Sequence, residues 1–432
     1  MQNLRRNANM VITIVVDMFG EENNGTTVTA MREAKILTEL GNEVRIMAYF
    51  PPKHVDVSMY KTYQLRLFKF PVFEKLIENN GMFIADIHKE DYPAVRDFIA
   101  GSDVVHMFLP FRVEKKIREI AVAMGIAVTS AFHCQPENIS YNINMGHWHG
   151  LNNYIYRMFY RWMYKYTRHI HTPSEMMKDQ MKLNKYKNII HPISNGVSPA
   201  FVPIATEKPA VYKDKFVILM VGRLSGEKRQ DLLIKAIGHS KYNDKIQLIL
   251  CGQGPKKKKY ERLSQKYLKN PCKFEFLSQT ELLKVINYCD LYVHASDAES
   301  EAIACIEAFC CGKVPIISDS LYSATNHFAL DNNCLFRAGD YKSLQDRIEF
   351  FMDHPEFEKS LSDRYVEYGK DFEIVHCVEK LNNMFKDEYR DHREDMRFER
   401  AFCTNKGERR RIRKAAKLAH IDNPVIFKKS VI

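Results

Sequence analysis

The chain has no apolar run approaching the roughly 18–20 residues that a membrane-crossing helix needs. Its longest, VITIVV (11–16), has the length of a buried strand. The N-terminus MQNLRRNANM is basic, but the apolar run after it is short and meets an acid at Asp17, so no secretory signal is expected. Ten cysteines contain no Cys-x-x-Cys pair, which removes the common zinc and redox spacings. Cys310 and Cys311 are adjacent, and Cys251, Cys289 and Cys305 lie inside apolar runs, where cysteine packs as a small hydrophobe. Reduced thiols in a cytoplasmic protein are the expectation. There is no Asp-x-Asp pair of the kind that holds a metal, and no Gly-x-Gly-x-x-Gly after the first strand, which argues against a nicotinamide-dependent oxidoreductase. No short-period repeat or low-complexity tract is present, and no nucleic-acid recognition motif.

What is present reads as α/β. At 432 residues the chain exceeds one core and implies two domains. Short apolar runs alternate with helical patterns: VITIVV, an amphipathic segment over 26–40 closed by Gly41, then EVRIMAY; DVVHMF, a helix near 113–124, then AVTSAF; HIHT, a helix near 174–183, then NIIH. Such alternation implies a parallel sheet covered on both faces. The polar, proline-containing stretch 198–215 reads as a linker, after which a second series begins with FVILMV, IQLILC, DLYVHA and VPIIS. The expected units are 1–200, 201–375 and a C-terminal 376–432 of helices and basic tail. Two doubly wound domains in tandem place a ligand in the cleft between them, at the carboxyl ends of their strands.

The stretch HASDAESEAIACIEAFCCGKVPIIS (294–318) carries two acids eight residues apart, Glu299 in a strand-to-helix loop and Glu307 on the helix behind it. Small residues at Ser300, Ala302 and Ala304 open the backbone N–H groups of the helix start to an anion such as a diphosphate. A carboxylate beside such an anion has a use if it binds hydroxyls. This stretch resembles the Glu-x7-Glu element of the family-4 retaining glycosyltransferases. VGRLSGEKRQDLLIKAI (221–237), CGQGP (251–255), ISNGV (193–197) and NNGTTVTAMREAKILTELGNEVRI resemble four further segments of that family, in the same order. SDSLYSATNHFAL (318–330) and FHCQPENI (132–139) are similar to a subgroup near the bacterial diacylglycerol glucosyltransferases. Where many members carry Gly-Phe-Gly after the first glutamate, this chain has Ser300-Glu301-Ala302.

The resemblance implies the GT-B fold, two Rossmann-like domains facing a central cleft, and transfer of a hexose from a nucleotide-diphospho-sugar with retention of configuration. No cofactor and no metal are expected; the nucleotide sugar is a co-substrate. Arg223 and Lys228, five residues apart after a strand end, match the pair that meets the departing diphosphate. Glu299 matches the acid on the sugar hydroxyls near the reacting centre, and Glu307 the acid on the ribose. Gly25, Gly222, Gly252, Ala302 and Ile303 match the donor-side backbone. His133, after AVTSAF, matches the contact to donor sugar and acceptor. The acceptor is expected to be a lipid or a growing glycan. Loss of the Gly-Phe-Gly glycines keeps open a different class, a non-catalytic scaffold of the same fold that binds glycan or protein.

Charge adds one more expectation. The net charge is +11, and residues 401–432 hold nine Lys/Arg against Glu408 and Asp422. The segment 151–170 sets Arg157, Arg161, Lys165 and Arg168 on one stripe, with Ile155, Met158, Phe159, Trp162, Met163 and Tyr166 on the apolar side. Such a helix either packs on its domain with snorkelling bases or lies on an anionic membrane, and a basic tail is either solvated or adds to that attraction. A cytoplasmic protein, peripheral at the inner face of the membrane, is the reading these bases support.

Overall fold

The computed structural model describes residues 9–20, 25–52, 55–68, 83–142 and 148–432. Part of the expected glycine loop, residues 21–24, and the first eight residues lie outside that set. Seven strands form the first sheet: β1 (Val11–Met18), β2 (Glu43–Tyr49), β3 (Lys61–Gln64), β4 (Val104–Met107), β5 (Ala127–Ala131), β6 (His169–Thr172) and β7 (Ile189–Pro192). Their order is β3-β2-β1-β4-β5-β6-β7, with every neighbouring pair parallel. Six form the second: β8 (Phe216–Val221), β9 (Ile246–Cys251), β10 (Lys273–Glu275), β11 (Leu291–His294), β12 (Pro315–Ser318) and β13 (Leu335–Phe336). Their order is β10-β9-β8-β11-β12-β13, again all parallel. This is the expected GT-B arrangement of two doubly wound domains. In each, strand order reverses beside the first strand, at β1/β4 and β8/β11, where such sheets leave a crevice.

The helices that matter below are α1 (Gly25–Glu39), α2 (Arg112–Ala123), α3 (His149–Trp162), α4 (Gln230–His239), α5 (Ile303–Cys310), α6 (Ile374–Arg397) and α7 (Lys406–Leu418). The period-two alternation of VITIVV sorts itself between two cores. Ile12, Ile14 and Val16 pack with Ala30, Ala34 and Leu37 of α1 and with Val378, Leu381 and Phe385 of α6. Val15 faces the other way, onto Val113, Ile117 and Ile120 of α2. Because helices cover both faces, a continuous apolar strand is satisfied on both. Among the described residues no helix is long and apolar enough to cross a membrane.

The chain passes between the lobes twice, and the two passages are bonded together. Val197 donates its N–H to the Phe372 carbonyl at 2.8 Å, and Ile374 donates to the Val197 carbonyl at 3.0 Å. Gly196 stands at φ +75. A Cβ there would sit 2.5 Å from Ile374 Cα. Glycine in ISNGV is thus demanded both by its left-handed backbone and by the close approach of the second passage.

Two expectations about charge are corrected. The stripe over 151–170 is not one helix: α3 ends at Trp162, and Arg168 turns inward to Asp391, at 3.3 Å, and to Asp395, both on α6. Met158 and Trp162, assigned to the apolar side, are 43% and 41% exposed. Nor do residues 401–432 form a solvated tail. Asn405 caps α7 by accepting from the Glu408 N–H at 2.9 Å. The helix lays Ile412, Ala415 and Ala416 against the α2 side of the first lobe. Under it Glu408 meets Arg118 at 2.5 Å, with only 2% and 1% of the two side chains exposed. Burial raises the Glu408 carboxyl, but the charges of Arg118 and Arg411 outweigh it and hold it below its usual range. Removing one partner of such a pair strands the other charge in the core. Glu408→Ala is therefore expected to cost about 3–5 kcal/mol in denaturant unfolding, against less than about 0.5 kcal/mol for the surface change Lys417→Ala.

Candidate functional site

The second lobe builds its site on the turn after β8. Gly222 and Gly252 stand at φ +154 and +148, and Gly222 donates its N–H to the Cys251 carbonyl at 2.9 Å. A Cβ on Gly252 would lie 2.1 Å from the Gly222 carbonyl oxygen. These glycines bring two strand-end turns into contact. Over Gly222 the space left by the missing side chain is taken by the stem of Lys228, whose Cδ is 3.7 Å from where a Cβ would be. Arg223 is half-buried beside it, its carbonyl accepting from the Gln230 amide at 2.9 Å.

Lys228 makes an ion pair with Glu299 Oε2. His294 Nε2 lies 3.2 Å from the same oxygen, and its ring is placed by Ser296 Oγ at 3.0 Å and the Tyr292 hydroxyl at 3.3 Å. Burial pushes the Glu299 carboxyl up, but the Lys228 charge and the His294 hydrogen bond outweigh it and bring it to about 2. Glu299 is therefore an anion at every working pH. Glu307, on α5, is buried, which pushes its carboxyl up to about 7 against the opposing charge of Arg32 on α1 in the other lobe. Burial holds the Tyr292 hydroxyl well above its usual range, and Glu307 and Glu299 both add to the shift.

The loop between them is not a degenerate version of Gly-Phe-Gly. Ala302 sits at φ +70 as the N-cap of α5, a conformation that costs an L-residue roughly 1–2 kcal/mol and that glycine adopts freely. Ile303 is the first residue of the helix. Glu301, 3% exposed, reaches into the other lobe, accepting from the Ser194 hydroxyl and, at 2.9 Å, from the Asn195 N–H. Ser174 Oγ donates to the Ser300 carbonyl at 2.7 Å, and Gln135 Nε2 to the Tyr322 carbonyl at 2.9 Å. The departure from the family pattern is a clasp between lobes.

In the first lobe His133 follows β5, stacked on Phe108 with ring centroids 4.9 Å apart and set edge-on to His171 at 5.2 Å. Burial, then the neighbouring His171 and His106, keep its imidazole well below the usual range and so neutral. It borders a cavity of about 180 Å³, open to solvent, with Asp17, Thr26, Thr27, Phe111 and Gln135. Lys228, Glu299 and Glu307 do not line this cavity. Gly25 opens α1 with nothing within 4 Å of its missing Cβ. Its backbone is not left-handed, so open space, not chain freedom, is what it offers. His106 is fully buried and bonded through Nδ1 to Thr129 Oγ1 at 2.8 Å, as a packed histidine.

Three features escaped the sequence. Nothing marked His294 as the third partner of Glu299, although its spacing, five residues before Glu299 at a strand end, carried the signal. Glu301 read only as a residue between two others. Asp17 at the end of β1 accepts from the Ala85 N–H at 2.6 Å, while its Oδ2 and both oxygens of Glu114 find no donor. The two carboxyls lie against one another. Burial pushes Asp17 up to about 7, and burial with the Asp17 charge holds Glu114 well above its usual range.

Two family models match adjoining parts of the chain: Glycosyltransferase Family 4 over residues 23–201, and Glycosyl transferases group 1 over 203–372. Sucrose-phosphate synthase from Thermosynechococcus elongatus is similar over 89% of this chain and 100% of its own, at 15% identity and a TM-score of 0.70. The HepE protein of Anabaena, in complex with UDP and glucose, is similar over 88% of this chain and 100% of its own, at 14% identity and a TM-score of 0.66. The catalytic domain of cholesterol-alpha-glucosyltransferase from Helicobacter pylori is 40% identical over 36% of this chain and 99% of its own, with a TM-score of 0.34. No curated protein matches.

The interlobe clasp makes a measurable statement. Glu301→Ala leaves the Asn195 N–H and Ser194 hydroxyl without their acceptor, and is expected to cost about 1–3 kcal/mol in urea unfolding. An unchanged midpoint would mean that the lobes do not meet through this residue.

Proposed function

Because the chain belongs to the family-4 glycosyltransferases and has their GT-B fold, we propose that it moves a hexose, with retention of configuration, from a nucleotide-diphospho-sugar to a hydroxyl of a lipid such as diacylglycerol or of a glycan. The observation that carries the reading is the Lys228–Glu299–His294 group at the carboxyl end of the second sheet's switch point. Arg223 and Lys228 neutralise the departing diphosphate, whose charge develops as the bond to the anomeric carbon breaks. Glu299, kept ionised, accepts from sugar hydroxyls, and Glu307 from the ribose. The helix start at Ala302 and Ile303, with Gly222, Gly252 and Gly25, gives the donor backbone to lie against. His133 faces the acceptor side, held neutral and able to orient a hydroxyl. The acceptor attacks from the face the diphosphate leaves, and a phosphate oxygen takes its proton. The non-catalytic reading rested on the altered Ser300-Glu301-Ala302 loop, for which the bonds of Glu301 to Ser194 and Asn195 supply a different reason.

A membrane-bound acceptor suits the outer surface of the first lobe. Tyr154, Met158 and Trp162 are exposed at intervals of four on α3, one apolar stripe, with Arg157 and Arg161 exposed beside them. At its end Lys115 Nζ stands 3.4 Å over the Trp162 ring. There a groove is lined by Arg112, Lys115, Lys116, Arg411 and Lys414, with Glu119 as its one acid. Aromatics flanked by cations fit an interface rich in anionic lipid. The protein is then cytoplasmic and peripheral at the inner leaflet.

Two measurements test these readings. In a donor screen against diacylglycerol and glycan acceptors, started with UDP-glucose, release of nucleoside diphosphate is expected. Arg223→Ala should lower turnover by about 10²–10³, and Glu307→Ala should weaken donor binding by about 10-fold or more. Parental turnover and affinity in both variants would remove the site assignment. In sedimentation with vesicles, binding is expected to anionic but not to neutral lipid and to fall with salt, with Arg161→Gln and Lys414→Gln each weakening it about fivefold. Equal binding to both vesicle types would end the electrostatic part of the proposal.

A further inference from the structure

One cluster in the first lobe joins His133 to two residues, Glu33 and His171, that the reading above gives no role. One ligand atom each from Glu33 on α1, His133 after β5 and His171 on β6 lie within 4.8 Å of one another. Glu33 and His171 are 2% and 0% exposed. Yet Glu33 Oε2, His133 Nε2 and His171 Nδ1 all lack a hydrogen-bond partner. Three polar atoms left unpaired at one buried place cost about 1–3 kcal/mol each, and a single ligand can satisfy all three.

Chemistry selects that ligand. His171 Nε2 is 2.8 Å from the Ile193 carbonyl. A carbonyl only accepts, so Nε2 carries the proton and Nδ1 presents a bare lone pair toward the cluster. A backbone carbonyl fixing the far nitrogen is the usual second shell of a metal-bound histidine. His133 is fixed in plane by its stack on Phe108 and meets His171 edge-on. Two imidazole nitrogens and a carboxylate oxygen suit a zinc-type dication; magnesium and calcium prefer all-oxygen shells. Ligands about 2.0–2.2 Å from a tetrahedral metal lie about 3.3–3.6 Å from one another. Atoms at the 4.8 Å limit of the cluster therefore close on an ion after a movement of about 1 Å.

We infer that Glu33, His133 and His171 form a three-ligand site for a first-row transition-metal dication such as Zn²⁺. The ion itself takes no part in sugar transfer. The site takes up the histidine proposed to face the acceptor, so its occupation inhibits. The inhibitory half of the inference rests on the functional reading above; the binding half does not.

The test uses the full-length chain, stripped of metal and titrated with CoCl₂ or with ZnCl₂ against a chromophoric chelator. One equivalent is expected to bind, with the visible absorption of four-coordinate cobalt. Glu33→Gln, nearly isosteric, should weaken binding by at least about 100-fold, and His171→Ala likewise. If His171→Ala fails to fold, Glu33→Gln alone decides. A sulfur-to-cobalt charge-transfer band would assign the metal to cysteines and overturn the inference. So would absence of stoichiometric binding, or equal affinity in parent and Glu33→Gln; water then bridges the three groups. Where transfer is measured, zinc should lower parental turnover and leave that of Glu33→Gln unaffected. Metal binding without transfer from any donor sinks the functional reading and leaves the site; transfer without metal binding does the reverse.

Discussion

A buried carboxylate stays ionised only if cations or donors hold it there, and the pair Lys228–Glu299 meets that condition. Alone in a buried loop, Glu299 would take up a proton and lose its use as a strong acceptor. Beside an incoming diphosphate it would repel the donor. Paired with Lys228 and bonded to His294 it stays ionised at about 2, with its charge compensated before any ligand arrives. The pair in turn depends on the turn glycines. Lys228 lies over Gly222 because no side chain fills that space, and Gly222 lies against Gly252 because no Cβ could fit between them.

The lobes are tied by specific polar contacts and by Ala324 of the second lobe, which packs into the first-lobe cluster with Phe132 and Tyr156. The two passages of the chain are bonded at Val197 and Glu373, and Glu301 crosses to Ser194 and Asn195 a short distance along the same stretch. This places the clasp next to the crossing point. Its partners, ISNGV and the Ser300-Glu301-Ala302 loop, are neighbours of the site on each side. Whatever holds the lobes together is therefore felt first at Glu299 and at the start of α5. The strained Ala302 fits this position. Backbone held in a left-handed conformation without glycine persists where its surroundings over-determine it, and here Glu301 on one side and α5 on the other do so.

Much of this was legible in the sequence, for a physical reason. Parallel strands buried on both faces read as short apolar runs whatever their partners, so VITIVV, FVILMV and IQLILC announce both sheets. Glycines that permit close approach are local demands, so Gly222 and Gly252 stand out, although their task is to seat backbone and a lysine. What stayed hidden depends on contacts hundreds of residues apart. Glu408 looked like one of two acids in a basic tail until Arg118, 290 residues away, supplied the buried partner that docks α7. Arg168 completed a stripe by spacing, but the acids that turn it inward belong to α6. Helical spacing cannot tell an exposed tryptophan from a packed one, which is why Trp162 was placed on the wrong side.

Around the two candidate sites the electrostatics differ in emphasis, although burial also pushes Glu307 of the second lobe up to about 7 and the first lobe holds the buried Arg118–Glu408 pair. The second lobe arranges full charges in compensated pairs: Lys228 with Glu299, and Arg229 with Asp297 at 2.6 Å. The first lobe arranges groups that burial keeps neutral. His133 and His106 sit well below their usual range and His171 at about 4, while Asp17 is pushed to about 7. A charged donor needs fixed charges, already paired so that binding exchanges one partner for another. A neutral acceptor hydroxyl needs polar atoms that carry no net charge, since an ion facing it without a partner would not survive in so dry a place. The same neutrality leaves lone pairs at Glu33, His133 and His171 with nothing to hold. A place kept this free of charge, proposed to face an uncharged alcohol, is thereby also one that a dication can enter.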